Sequence, residues 1–143
     1  MDTIKRLIRD IPDFPKKGII FKDITPILGD PAAMARINGA FEKEFEELKP
    51  TRIVGIESRG FIFGAVLAAA MELPFTPVRK PGKLPYKTIK VSYTLEYGEG
   101  TLEMHTDGVG SKDRVLVIDD LLATGGTAAA SCELVERVGA KVV

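Results

Sequence analysis

The chain has 143 residues, of which 45% are hydrophobic and 28% are charged, and its 20 basic and 20 acidic side chains balance. This length and composition suit one folded domain with a hydrophobic core and exclude an intrinsically disordered chain. The charge balance gives no basic excess of the kind that binds nucleic acid through its phosphates. A single cysteine excludes an internal disulfide bond, and no Cys/His cluster has the spacing of a zinc site.

Neither a targeting segment nor a membrane span is predicted. Residues 1–6 lead directly into an amphipathic pattern and lack the apolar segment of a signal peptide. The longest apolar stretch, Gly60 to Met71, is too short to cross a bilayer. We therefore expect a cytoplasmic protein with neither a membrane nor a nucleic acid as its partner.

The first third of the chain carries helix patterns. Apolar residues recur with helical spacing between positions 4 and 11, which predicts a helix ended by Pro12. Asp30 followed by Pro31 predicts the start of a second helix, which has one apolar face and ends near Pro50.

Strand patterns alternate with helix patterns in the middle of the chain. Strands are predicted at Arg52–Ile56 and Phe75–Arg79, on either side of a mostly apolar helix from Phe61 to Leu73. Two β-prone runs, Thr88–Leu95 and Thr101–His105, flank a glycine-containing turn and predict an antiparallel hairpin.

The last third predicts a strand, a helix and the opening of another strand, at Val115–Ile118, Gly126–Val138 and Lys141–Val143. The alternation as a whole predicts an α/β fold, with a mainly parallel twisted sheet, helices on both faces and the hairpin inserted as a mobile flap over residues 80–106. We expect one domain over residues 1–143, whose C-terminal strand is incomplete at residue 143.

The most informative stretch is Val115 to Thr127, which reads Val-Leu-Val-Ile-Asp-Asp-Leu-Leu-Ala-Thr-Gly-Gly-Thr. Asp119 and Asp120 follow a buried strand, where a parallel sheet forms its ligand crevice, and adjacent carboxylates suit a ribose diol. Small residues then precede a helix, where backbone N–H groups can bind a phosphate; they are Ala123, Thr124, Gly125, Gly126 and Thr127. No Lys follows the glycines, which argues against a Walker A loop.

Two further segments carry groups that suit an anion. Ser58, Arg59 and Gly60 follow another buried strand, so they should reach the same sheet edge, where Arg59 offers a planar fork for phosphate oxygens. The alternative is a surface arginine in a tight turn. Basic residues also cluster between positions 79 and 90 without an intervening acid. That cluster is either an anion site or a solvated face.

The stretch from Val115 to Thr127 resembles the signature of type I phosphoribosyltransferases, and its Asp-Asp-Leu-Leu-Ala-Thr-Gly-Gly-Thr form is most similar to the adenine-specific members. The resemblance covers nearly all of the chain and implies their Rossmann-like fold, but the C-terminal segment with which those proteins ordinarily continue is lacking after Val143. It also implies the conversion of adenine and phosphoribosyl pyrophosphate to AMP and pyrophosphate in purine salvage. A homodimer is implied as well, and so is Mg²⁺ that is carried mainly by the substrate, with no direct protein ligand.

The resemblance assigns roles to the charged loops. Asp119 and Asp120 would hold the ribose hydroxyls, and Ala123 to Thr127 would bind the 5-phosphate. The pyrophosphate residues would be Ser58, Arg59, Gly60, Arg79, Lys80, Lys83 and His105. A non-proline cis peptide is implied between Glu57 and Ser58.

The resemblance also supplies a base-binding segment and a proton-transfer pair. Within residues 1–30, after the N-terminal helix, Phe21 would stack on adenine while main-chain groups of Ile20 and Lys22 read the base edge. Glu96, oriented by Tyr97 at the tip of the flap, would manage the N7 proton of adenine. From the residues alone, Phe21 is a core residue and Glu96 an ordinary hairpin residue.

Two alternative functions stay open at this stage. A non-catalytic sensor of phosphoribosyl pyrophosphate would retain the same phosphate loop, although the sequence shows no added DNA-binding segment. A phosphoribosyltransferase for another base would differ around Phe21.

Overall fold

A computed structural model describes residues 2–94 and 99–143, and only the backbone of Asp2. In chain order, its elements are α1 (Asp2–Lys5), β1 (Arg9–Pro12), β2 (Ile20–Asp23), α2 (Thr25–Leu28), α3 (Pro31–Phe45), a 3-10 helix (Glu46–Leu48), β3 (Arg52–Ile56), α4 (Gly60–Ala70), β4 (Phe75–Val78), β5 (Thr88–Thr94), β6 (Glu99–His105), β7 (Arg114–Ile118), α5 (Gly126–Arg137) and β8 (Lys141–Val142). The chain divides into two compact units, Met1–Phe41 and Glu42–Val143. The assignment of residues 1–143 to one domain stays a prediction.

In the first unit, β1 and β2 form an antiparallel hairpin. The predicted helix over residues 4–11 is therefore wrong beyond Lys5. Ile11 lies opposite Phe21, and Lys22 Nζ lies 2.6 Å from Asp10 Oδ1 across the pair. So short an apolar pattern fits both a helix and a helical turn followed by a strand. The strand is favoured here because an isolated helix of this length has little stability, whereas a hairpin partner supplies hydrogen bonds to the backbone.

The predicted start of the long helix is confirmed. Asp30 Oδ1 accepts the backbone N–H groups of Ala32 and Ala33 at 2.9 and 3.1 Å. This N-cap satisfies donors that have no partner inside the helix, and α3 begins at Pro31, where a missing N–H costs nothing. Among the described residues, no helix is long and apolar enough to cross a membrane.

The second unit is built on a four-stranded parallel sheet with the order β4-β3-β7-β8. The predicted α/β fold with its antiparallel hairpin is confirmed. Strand β3 lies between β4 and β7, with Ile56 opposite Val78 and Gly55 opposite Ile118. The loops that follow these three strands therefore leave the sheet at one edge.

The core of this unit includes the hairpin as well as the sheet. Val91 of β5 and Leu102 and Met104 of β6 are buried in the same cluster as Val115 of β7 and Leu134 of α5. The inner face of the hairpin is thus part of the folded core, and burial of these side chains ties β5 and β6 to the sheet.

Replacing Leu134 with Ala should lower the free energy of unfolding by about 2–5 kcal/mol, because the side chain is fully buried and its removal leaves a cavity. Urea denaturation measures this. Glu133→Ala is the control on the same helix. It removes only an exposed ion pair with Arg137 and should change stability by less than about 1 kcal/mol. Equal losses in the two variants would contradict the assignment of Leu134 to the core.

Candidate active site

The candidate site lies in the second unit, at the edge where β3, β4 and β7 end. Three polar segments leave the sheet there, beginning at Glu57, Arg79 and Asp119. Because β3 is the middle strand of the three, its loop can contact the segments on both sides.

The loop after β3 is joined to the loop after β7 by an ion pair. Arg59 Nη2 lies 2.7 Å from Asp120 Oδ2, and the Asp120 side chain is only 8% exposed. The backbone N–H of Asp120 donates to Asp119 Oδ1 at 2.9 Å. Arg59 and both aspartates of the predicted site are therefore brought together.

The two aspartates experience different surroundings. Burial raises the pKa of Asp119 from 3.8 to about 6, and the negative charge of Asp120 adds to the shift. The hydrogen bond from the Asp120 N–H and the charge of Arg59 act in the opposite direction but do not cancel it. Asp119 thus carries a carboxylate whose ionised form lacks sufficient compensation, which a donor such as a ligand hydroxyl would supply.

Gly60 is required by the close approach of α4 to Asp119 and Asp120, which we call the acidic pair. A Cβ at this position would lie 2.8 Å from the backbone oxygen of Ile118 and 2.9 Å from Asp119 Oδ1. Real Cβ atoms do not approach backbone or carboxylate oxygens that closely, so glycine permits the first turn of α4 to pack against the end of β7.

The predicted phosphate loop ends where the prediction placed it, at the start of α5. Gly125 has a φ of +84°, and the helix begins at Gly126. Within the described part of the chain, no side chain caps this terminus. The N–H groups of the first helical turn are thus available to an anion.

The basic residues after β4 surround one carboxylate. Glu57 Oε2 lies 3.3 Å from Arg79 Nε and accepts the Lys80 N–H at 3.1 Å, while Oε1 pairs with Lys83 Nζ. Burial raises the pKa of Glu57, but the donors from Lys83, Lys80 and Arg79 outweigh it and lower the value to about 2. Arg79, Lys80 and Lys83 are thus gathered beside Ser58, and the peptide bond between Glu57 and Ser58 is cis.

A second buried carboxylate holds the same turn. The Glu103 side chain is 3% exposed, and its oxygens accept the Gly82 N–H at 3.2 Å and pair with Lys90 Nζ at 2.8 Å. The main chains of Arg79 and Glu103 also exchange hydrogen bonds of 2.9 and 2.7 Å. The Lys90 donor lowers the pKa of Glu103 despite its burial. The turn over residues 79–83, which we call the basic turn, is therefore fixed to both β4 and the hairpin.

His105 contacts Tyr86, in the segment that precedes β5. Its Nε2 accepts the Tyr86 N–H at 3.3 Å, and the two rings meet edge to face with centroids 6.0 Å apart. These described contacts are with the start of the hairpin rather than with Arg79 or Lys83. Its assignment to the pyrophosphate stays a prediction.

The predicted base-binding residues lie on β2 in the first unit. Phe21 is partly buried and meets the Phe14 ring edge to face at 5.2 Å, Ile20 is exposed, and Lys22 pairs with Asp10. The predicted proton-transfer residues Glu96 and Tyr97 lie outside the described residues.

Sequence reasoning missed the two carboxylates that organise the basic turn. Glu57 stands at the end of a buried strand beside the predicted Ser58, and Glu103 stands between the apolar residues Leu102 and Met104. Acids next to buried positions are a usable signal, because burying a charge requires a partner. The sequence does not say which of several nearby cations supplies it.

Comparison with known proteins agrees with this geometry. Residues 24–143 match the family model described as a phosphoribosyl transferase domain. An adenine phosphoribosyltransferase of Anaeromyxobacter dehalogenans is 56% identical over 143 residues, which is all of this chain and 83% of that protein. The chain belongs to the adenine phosphoribosyltransferase family.

Solved structures of this adenine phosphoribosyltransferase family share the fold. The crystal structure from Rhodothermus marinus is 54% identical with a TM-score of 0.95, and the match covers 99% of this chain and 81% of that one. The Saccharomyces cerevisiae enzyme, complexed with an imino-altritol bisphosphate and adenine, is 41% identical with a TM-score of 0.93, covering 99% and 83%. The predicted family, fold class and enzyme class, a pentosyltransferase among the glycosyltransferases, are confirmed.

Asp119→Asn should change how stability depends on pH. The folded-state pKa of Asp119 is raised from 3.8 to about 6, so its ionisation makes the folded state less stable as the pH rises through this interval. Asn does not ionise. The free energy of unfolding of the variant, relative to the unmodified protein, should therefore increase across the interval and stay constant above it.

Urea titrations at a series of pH values measure this difference. Asp107→Asn is the matched control, since it removes the same charge from an exposed position in the turn after β6. The same pH dependence in both variants would show that burial of Asp119 is not the cause.

Proposed function

We propose that the protein transfers the phosphoribosyl group of phosphoribosyl pyrophosphate to adenine, forming AMP and pyrophosphate in purine salvage. Family membership supports this reaction. The observation that carries the site assignment is the loop from Glu57 to Arg59, which contacts the basic turn on one side and the acidic pair on the other. The phosphate loop, the acidic pair and the basic turn would then bind the 5-phosphate, the ribose hydroxyls and the pyrophosphate of one elongated ligand.

The basic turn would bind the leaving group. As the bond between C1 of the ribose and the pyrophosphate oxygen breaks, pyrophosphate keeps the electron pair and gains charge. Arg59, Arg79, Lys80 and Lys83, with Ser58 and the Gly60 backbone, are proposed to stabilise that charge. Their arrangement before the reaction begins would reduce the cost of reorganisation.

The acidic pair would act on the sugar. Loss of pyrophosphate leaves an oxocarbenium-like ribose, and carboxylates near the 2- and 3-hydroxyls favour that positive charge. Asp119 and Asp120 are proposed for this role, while Ala123 to Thr127 and the start of α5 hold the 5-phosphate. The raised pKa of Asp119 supports a ligand hydroxyl as its missing donor.

Adenine would complete the reaction through its N9, which bonds to C1 while the N7 proton departs. We assign the proton to Glu96 and the orientation of that side chain to Tyr97. Stacking on Phe21 and main-chain contacts from Ile20 and Lys22 would select the base, because a carbonyl that accepts from the adenine amino group opposes the oxo group of guanine or hypoxanthine.

The donor set fits Mg²⁺ that arrives on the substrate. Mg²⁺ carried on substrate oxygens needs few protein ligands, and Asp119 and Asp120 offer carboxylate oxygens of the kind that Mg²⁺ prefers. When bound, Mg²⁺ supplies positive charge to the pyrophosphate oxygens. A homodimer and a cytoplasmic location are retained as predictions from the family resemblance.

Incubation with phosphoribosyl pyrophosphate, Mg²⁺ and each purine base tests the function. We expect AMP from adenine, with hypoxanthine and guanine slower by about 10⁴-fold, as for sites built on complementary hydrogen bonds. Chromatography of the nucleotides measures all three rates. Preference for another base would overturn the adenine assignment, and binding of phosphoribosyl pyrophosphate without any nucleotide product would favour a sensor.

Asp119→Asn combined with Asp120→Asn should lower kcat by at least about 100-fold, because the developing positive charge on the ribose loses both carboxylates. Steady-state kinetics with adenine measures the loss. The control is Glu46→Gln with Glu47→Gln, an adjacent pair of exposed acids in the 3-10 helix, which should keep full activity. Normal turnover in the aspartate variant would remove the acidic pair from the mechanism.

A further inference from the structure

Strand β5 contacts the phosphate loop through a tyrosine that the mechanism above does not use. The Tyr93 hydroxyl lies 3.2 Å from Thr127 Oγ1, in a hydrogen bond that either group can donate. Thr127 is the second residue of α5 and the last residue of the proposed 5-phosphate loop. One hydroxyl of the loop is therefore shared with the hairpin.

Two glycines provide the space for the Tyr93 ring. Gly100 lies directly opposite Tyr93 in the hairpin, and a Cβ there would lie 2.7 Å from the ring carbon Cζ and 3.0 Å from the hydroxyl. A Cβ on Gly126 would lie 3.4 Å from ring carbon Cδ2 of Tyr93 and 3.4 Å from the backbone oxygen of Thr94. The ring thus fits closely against both the partner strand and the start of α5.

Different groups contact the backbone and the hydroxyl of Thr127: Ser131 binds its carbonyl oxygen, and Tyr93 binds its hydroxyl. Ser131, which is fully buried, donates to the Thr127 carbonyl oxygen at 2.8 Å. At the other end of α5, Arg137 Nη1 donates to the Lys90 carbonyl oxygen of β5 at 2.9 Å. The hairpin strand is therefore attached to α5 at both ends, and only the Tyr93 attachment involves a group of the phosphate loop.

We propose that Tyr93 is a positioning residue for the 5-phosphate, acting through the Thr127 hydroxyl. A hydroxyl has one proton and two acceptor sites, so a Thr127 oxygen that accepts from Tyr93 keeps its own proton to donate to a phosphate oxygen. The same hydrogen bond orients the Thr127 hydroxyl and strengthens the hydrogen bond that this hydroxyl donates to the phosphate. This inference rests on the proposed function.

Tyr93→Phe tests the proposal because it keeps the ring between the two glycines and removes only the hydroxyl. We expect the Kd for ribose 5-phosphate and the KM for phosphoribosyl pyrophosphate to rise roughly 3- to 10-fold, in line with the net worth of one hydrogen bond. The KM for adenine and the melting temperature should change little. Ser92→Ala is the matched control, since that exposed hydroxyl pairs across the hairpin with Thr101 at 3.0 Å, and it should leave both constants unchanged.

A double-mutant cycle with Thr127→Ala separates positioning from a structural role. If Tyr93 acts through Thr127, Tyr93→Phe should not weaken ribose 5-phosphate binding further in the Thr127→Ala background. Additive losses, or unchanged ribose 5-phosphate binding in Tyr93→Phe alone, would overturn the proposal. The binding measurement requires no turnover, so failure of the protein to form AMP would count against the proposed function and not against this inference.

Discussion

The site depends on one short loop that carries opposite charges on residues two positions apart. Glu57 and Arg59 follow β3, which lies between β4 and β7, and they pair with the segments that follow those two strands. Each pair compensates a largely buried carboxylate, a condition that charged groups must meet when they leave water. This loop thereby helps to fix the positions of the basic turn and the acidic pair relative to each other.

This arrangement shifts the pKa values of two carboxyl groups in opposite directions. Surrounding donors lower the pKa of Glu57 to about 2, whereas burial beside Asp120 raises that of Asp119 to about 6. A carboxylate with saturated hydrogen bonds is suited to hold other groups in place, and one with an incomplete set is suited to receive a ligand. The two environments thus distinguish a fully compensated carboxylate from an incompletely compensated one at the same edge of the sheet.

The sequence predicted the parts of the fold that depend on local patterns. The strand at Arg52–Ile56, the cap at Asp30 and the helix after Gly125 follow from apolar runs, capping chemistry and backbone freedom. The β1–β2 hairpin was missed because the short apolar pattern over residues 4–11 fits a helix as well as a helical turn followed by a strand. The partners of Glu57, Glu103 and Tyr93 were missed for another reason, since each is set by tertiary packing rather than by a neighbouring residue.

The position of Glu57 among the cations affects how binding responds to ionic strength. Arg79 and Lys83 already share a carboxylate before any ligand arrives, so part of their positive charge is neutralised within the protein. An arriving pyrophosphate would compete with this fixed internal anion. A simple count of basic residues in the turn therefore overestimates the net positive charge that the turn presents to an anion, and with it the salt sensitivity expected for anion binding there.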